Sequence, residues 1–291
     1  MNQINQRQNE ARSIKLLAAQ RQTYTSAKKF LGTYVFFAIP VMLLVNLIIK
    51  PLVLKNFSYD LTNIIAVSAL LLTFLDVLWL KNHVRSLQEK AATIQEEFDR
   101  YVYNLKWDAI VLGEKVSSVF IEKMYNKYSH SNDTHKLHDW YTSTVSQYPE
   151  RKGILLCQNE CLGWDIELRT SYIAYVTMFI TCFVLVLLFY GVSNEVTIEH
   201  FIMAYLIPSM PLLAYFRNVY TEHCRAIEDK TMLRESLSRA LGAQNIKRKT
   251  IEGIQFQILN NRKSNPLIFD SFNYIKSKKL QKLVSGVTRS V

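Results

Sequence analysis

The residues of this chain best placed for chemistry are polar side chains set in or beside strongly apolar sequence. Asp76 lies near one end of the apolar stretch 61–80, and Asn46 near the far end of the stretch 30–49. A carboxylate inside hydrocarbon is costly unless it faces a bundle interior or water. Asp76 is therefore either a charge lining a path or, a turn from Lys81, an ordinary residue at headgroup level. Pro208 and Pro211 free backbone carbonyls within a further apolar stretch, as a hinge, a pore-lining bend or a passive kink. The run CQNECLGWDIELRTSY, residues 157–172, sets Asp165 and Arg169 as an i,i+4 ion pair. It also places Trp164, Leu168, Ser171 and Tyr175 on one helix face, suited to a structural anchor at a membrane entrance or to recognition of a ligand. His130, His135 and His138 with Asp133 and Asp139 match no zinc signature and read as a solvated loop. Cys157 and Cys161 have no second Cys/His pair nearby and read as inert thiols. No P-loop, glycine-rich nucleotide loop, HExxH or GxSxG occurs, so the chain is read as a non-enzyme with no cofactor and no metal site.

These residues are positioned by four nearly uncharged stretches, 30–49, 61–80, 171–192 and 201–216. The first three have the roughly 20 apolar residues a helix needs to cross about 30 Å of hydrocarbon. The fourth is shorter and crosses only if Ile198, His200 and Arg217 extend it to the interfaces. A helix packed in a water-soluble core seldom lacks a charged face, so the pattern predicts a membrane protein.

Orientation follows from Lys and Arg. Residues 1–29 carry six, residues 81–170 twelve, and the chain from Arg217 onward fifteen, whereas 50–60 has only Lys50 and Lys55, and 193–200 has none. The positive-inside rule places both termini and the middle region in the cytoplasm and makes each pair of spans a hairpin. The expected organisation is a cytoplasmic N-terminal helix (1–29), a transmembrane hairpin (30–80), a cytoplasmic helical domain (81–170), a second hairpin (171–216) and a basic helical tail (217–291). The net charge of +11 is accounted for by juxtamembrane residues over anionic lipid, which removes the reason to expect a DNA or RNA polymer as partner. Residues 1–29 lack the apolar core of a cleavable signal. The four cysteines fall in cytoplasmic or membrane segments, where reduced thiols are expected.

Outside the spans the periodicity is helical. Leu87, Ala91, Ile94, Phe98, Tyr101 and Leu105, then Leu112, Val116, Val119 and Met124, predict one nearly continuous rod reaching about 60 Å from the membrane. Polar loops fall at 129–134 and 148–153, with a short helix over 136–146 between them. Helix is expected from Ile154 into the third span, and helical spacing over 219–258; the final KSKKLQK region reads as loosely ordered. No strand alternation persists, so the fold class is all-α: two transmembrane hairpins with a cytoplasmic helical layer.

Four segments together are similar to a known family: LLAAQRQTYTSAKKF before the first span, EEFD at 96–99, the Trp140–Tyr141 pair, and above all CQNECLGWDIELRTSY. They resemble the SMODS-associated four-transmembrane effectors of bacterial cyclic-oligonucleotide-based anti-phage signalling systems (CBASS), from about Leu16 to Ile227. The resemblance implies a homo-oligomeric pore-forming effector in the bacterial inner membrane. Its activating ligand would be a cyclic di- or trinucleotide made by a partner nucleotidyltransferase, and its action would permeabilise the membrane and kill the infected cell. A non-channel receptor or scaffold relaying a cytoplasmic signal is the alternative.

Such a ligand needs cations for its phosphates and aromatic faces or amides for its bases. Arg100, Trp140, Tyr141, Gln158, Trp164, Asp165 and Arg169 are the candidate ligand-binding residues. Asn46, Asp76, Pro208 and Pro211 are the candidate pore or gate residues.

Overall fold

The computed structural model describes residues 2–272. They are helical, with no strand among them. After a short turn of helix at Ile4–Gln8 come α1 (Ala11–Phe57), α2 (Thr62–Val102), α3 (Ser118–Ser131), α4 (Glu150–Ser193), α5 (Ile198–Leu241) and α6 (Arg248–Ser264). Helices α1, α2, α4 and α5 are each long and apolar enough to cross a membrane, so the fourth stretch does extend into a span-length helix.

The chain divides into two compact units: Met1–Lys28, Arg85–Thr170 and Arg225–Val291 form one, and Lys29–Val84 with Ser171–Cys224 the other. Each of the four long helices contributes residues to both units. The basic KSKKLQK segment lies outside the described residues.

The second unit is the membrane unit. Its apolar side chains face outward, as with Leu70 at 68% and Phe189 at 75% exposed, an arrangement that water would penalise and hydrocarbon does not. Ser58, in the left-handed region, ends the first apolar helix, and Asp60 accepts from the Thr62 backbone (2.9 Å) and hydroxyl (2.6 Å) to start the second. Thr197 caps the start of α5 in the same way. In that second hairpin α4 and α5 meet closely: a Cβ on Gly191 would stand 2.9 Å from the Phe201 ring, so only glycine fits there. Stretches of π-helix interrupt three of the spans, at Phe37–Val41, Val45–Ile49, Asp76–Leu80 and Ile202–Leu206. Pro40 sits inside the first of these, where the wider turn relieves the clash of its ring with the preceding turn.

The first unit is built around apolar stripes of the non-membrane helical segments. Leu17 of α1, Phe98 of α2, Leu155 of α4, Leu237 of α5 and Ile251 of α6 meet in one core. Here the expected long rod fails. Helix α2 stops at Val102 because Asn104 adopts φ +54° and the Leu105 amide bonds the Arg100 carbonyl (2.8 Å), the closing bond of a left-handed helix cap. Asp108 and Ser117 then cap new helices, and Gly113, at φ +80°, turns the chain between them. The expected helix over 136–146 is instead two 3₁₀ turns, Thr134–Leu137 and Ser143–Gln147, separated by extended backbone at His138 and by Asp139 at φ +52°. The helical run expected over 219–258 is broken between Leu241 and Arg248.

Candidate functional site

Residues from the sequence segments EEFD and CQNECLGWDIELRTSY, far apart in the chain, meet inside the first unit. Asp99 is 1% exposed and accepts from three directions: the Tyr141 hydroxyl (2.6 Å), Gln255 Nε2 (3.0 Å) and Arg262 Nη1 (2.5 Å). Gln255 also donates to Glu96 (2.7 Å), and its own carbonyl accepts from Gln158 (3.0 Å). Arg262 donates a further bond to the Cys161 sulfur (3.1 Å). Gln8 brackets Tyr141, accepting from its amide (2.8 Å) and donating to its carbonyl (3.2 Å).

Charge and burial act on one another here. Burial pushes the Tyr141 hydroxyl pKa well above its ordinary value, and the neighbouring Asp99 charge adds to this, so Tyr141 is a fixed donor. Burial opposes the Arg262 charge, but Asp99, Cys161 and Tyr141 together outweigh it, and the guanidinium holds its proton more tightly than usual. A network whose charged members are all partnered fixes the packing of α2, α4 and α6 and leaves few groups for a ligand.

The candidate ligand-binding residues therefore divide. Arg100 is committed to Glu96 (2.6 Å) and the Lys106 carbonyl (2.6 Å), where it also fixes the chain leaving α2. Tyr141 and Gln158 are buried in the network, although the Gln158 carbonyl oxygen has no hydrogen-bond partner among the described residues. Trp140 is half-buried, edge-on to Phe98 and under the Arg21 guanidinium (5.7 Å). Trp164 is half-buried on α4.

Asp165 and Arg169 lie further along α4 from Cys161, whose thiol feels the Asp165 charge. They form the expected i,i+4 pair (2.8 Å), and Lys230 of α5 approaches the same carboxylate oxygen at 3.0 Å. Arg169 also donates to the Pro266 carbonyl (3.0 Å). One turn beyond Lys230, Arg234 binds the Asn159 side chain (2.9 Å) and lies over Gly163. Arg169 and Lys230 thus share one carboxylate, with Arg234 bound one turn along α5 to Asn159. Lys230, Gln255 and Arg262 did not figure among the candidates. Their signal was present: Lys230 falls within the Ile227–Leu233–Leu237 stripe, and Gln255 and Arg262 follow Ile251 and Ile258 at i+4.

In the membrane unit, Asn46 is half-buried and donates to the Met42 carbonyl (2.8 Å) within a π turn. Asp76 opens another π turn and pairs with Lys81 at 3.3 Å. Pro208 follows the π turn of α5, and Pro211 lies inside the helix. Near Pro40 an apolar crevice of about 180 Å³ is lined by residues including Val35, Leu43, Phe179, Phe183 and Leu212. Among the described residues no three His, Cys, Asp or Glu side chains converge to hold a metal; His135 and His138 stack on each other instead.

The SMODS-associating 4TM effector domain matches residues 2–287 of the chain. A curated relative, described as a "Probable CBASS effector molecule" of Bacillus cereus (strain VD146), is 24% identical over 216 residues, covering 72% of this chain and 70% of that protein. No solved structure matches.

Proposed function

Because this chain belongs to the SMODS-associating 4TM effector family, we propose that it is the membrane-permeabilising arm of an anti-phage signalling system. A partner nucleotidyltransferase makes a cyclic oligonucleotide on infection. The effector binds it through the cytoplasmic helical unit and opens a path across the bacterial inner membrane, and the cell dies before the phage matures. The action is non-enzymatic.

The observation that carries this reading is the match to the effector domain along nearly the whole chain, in a protein whose four span-length helices each supply residues to a polar unit. Four spans in one chain do not enclose a wide conduit, so the active form is a homo-oligomer. Asn46, Asp76, Pro208 and Pro211 are the residues proposed to line or bend that conduit, the π turns around them supplying backbone already departed from regular helix. Ligand binding shifts a closed–open equilibrium only through a difference in affinity between the two states, and a nearly complete shift takes about 5.5 kcal/mol.

The test is dye release from liposomes holding the purified protein, exposed to a panel of cyclic di- and trinucleotides. Release with one or a few of these is expected. No release with any of them, from protein shown to be inserted, contradicts the proposal.

A further inference from the structure

We infer that the Asp165 carboxylate occupies a phosphate site, holding Arg169 and Lys230 in the positions from which they bind a phosphodiester of the activating messenger. The inference rests on the reading of the chain as a nucleotide-responsive effector, and names the group on the protein that the nucleotide replaces.

Lys230 carries the argument. It is 5% exposed, yet none of its N–H bonds is taken up by a hydrogen-bond acceptor among the described residues. Its Nζ stands 3.0 Å from Asp165 Oδ2 but off the hydrogen-bonding direction, while Arg169 Nε donates to that same oxygen at 2.8 Å. A buried ammonium with unused donors is expensive, and an ion pair kept only for stability gains by satisfying them. Lys230 is the under-satisfied member, because it meets an oxygen that already accepts from Arg169. A phosphodiester, not tethered to α4 as the Asp165 carboxylate is, can turn one non-bridging oxygen to the ammonium and the other to the guanidinium.

A further cation stands beside this cluster on α5. Arg234, one turn from Lys230 on α5, donates to Asn159 and lies over Gly163 of α4. Arg169 is next to Thr170, the last residue of this unit before the membrane segment of α4. Displacing Asp165 releases its contact with Lys230, the ion pair that ties α4 to α5 in this cluster.

The experiment is calorimetric titration of the full-length protein, in detergent free of phospholipid, with inorganic pyrophosphate as the probe. Asp165→Asn removes the internal anion and should bind pyrophosphate at least about tenfold tighter than the parent, the scale of one charge-assisted hydrogen bond. Adding Lys230→Met should abolish the gain. Equal affinity in Asp165→Asn and the parent, or a gain that survives Lys230→Met, overturns the inference. A parallel arm uses short-chain phosphatidylglycerol; a gain confined to that lipid assigns the site to a headgroup and overturns the messenger assignment. Should Asp165→Asn be too unstable to titrate, its melting temperature must rise more in pyrophosphate than in chloride of equal ionic strength, and more than the parent's does. No such difference is also a refutation. Failure of cyclic oligonucleotides to release dye from liposomes sinks the proposed function but leaves the pyrophosphate titration unaffected.

Discussion

Removing the Asp99 side chain should cost more than any other single truncation in the polar network of the first unit. Asp99 is 1% exposed and is the shared acceptor for Tyr141, Gln255 and Arg262. Asp99→Ala leaves the Arg262 charge without its carboxylate, in a site where breaking a buried pair costs about 3–5 kcal/mol. The Tyr141 hydroxyl and the Gln255 amide lose an acceptor as well, but these penalties overlap with the first, so the upper part of that range is expected. Tyr141→Phe removes only one donor and leaves Asp99 paired with Arg262, which should cost about 1 kcal/mol. Hydrogen exchange of amides in Arg248–Ser264, followed by mass spectrometry, reads these values locally and avoids treating a two-unit protein as a single transition. The Asp99→Ala range corresponds to exchange faster by about two to three and a half orders of magnitude. Combined Asp99→Ala and Arg262→Ala should cost less than the sum of the single changes, with a coupling of at least about 2 kcal/mol, because the second truncation removes the stranded charge. Additive losses, or an Asp99→Ala effect no larger than that of Tyr141→Phe, would refute the network as the element fixing α6.

Three further outcomes follow from other parts of the molecule. Gly191→Ala forces a Cβ to within 2.9 Å of the Phe201 ring and should destabilise the membrane unit by about 1–3 kcal/mol in a melting assay. Phe201→Ala should remove most of that loss, and an undiminished loss in the double variant contradicts the close packing. Asp270 is bound by Lys28 (2.6 Å) and the Thr25 hydroxyl (2.6 Å); burial opposes its ionisation, but Lys28, Thr25 and Arg21 together outweigh burial and hold the carboxyl below its ordinary range. Its folded pKa lies below its unfolded one, so its stabilisation is present above about pH 4 and is lost as pH falls through the lowered value. Amides of 265–272 should then exchange faster at acid pH relative to the rest of the unit, and Asp270→Asn should erase that difference. Asp76→Asn should lower the preference for cations in an activated channel by removing a ring of negative charge, whereas unchanged selectivity leaves Asp76 as the partner of Lys81 alone.

The spans were legible because nothing but a membrane explains uncharged runs such as 171–192, and the Asp165–Arg169 pair because i,i+4 spacing on a helix fixes the contact. Helix ends were harder. The apolar repeat continues past Val102, and only Asn104, Asp108 and Ser117, ordinary residues until their backbone angles and capping bonds are seen, divide it. The π turns leave little trace in sequence, since the chain stays helical and apolar through them; Pro40 was their one marker. Least legible were long-range partners. Asp99 and Arg262 are 163 residues apart, and no local pattern links them. The polar interruptions of the apolar stripes at Lys230, Gln255 and Arg262 show that something must meet them, not what.

Planar-bilayer recording of the purified protein, with a cyclic oligonucleotide it binds added to the side facing the first unit, tests the central claim most directly. The account predicts stepwise conductance that appears on addition and disappears when the nucleotide is washed out. A nucleotide that binds by calorimetry and leaves the bilayer sealed would contradict it, and would make the protein a receptor that passes its signal to another partner.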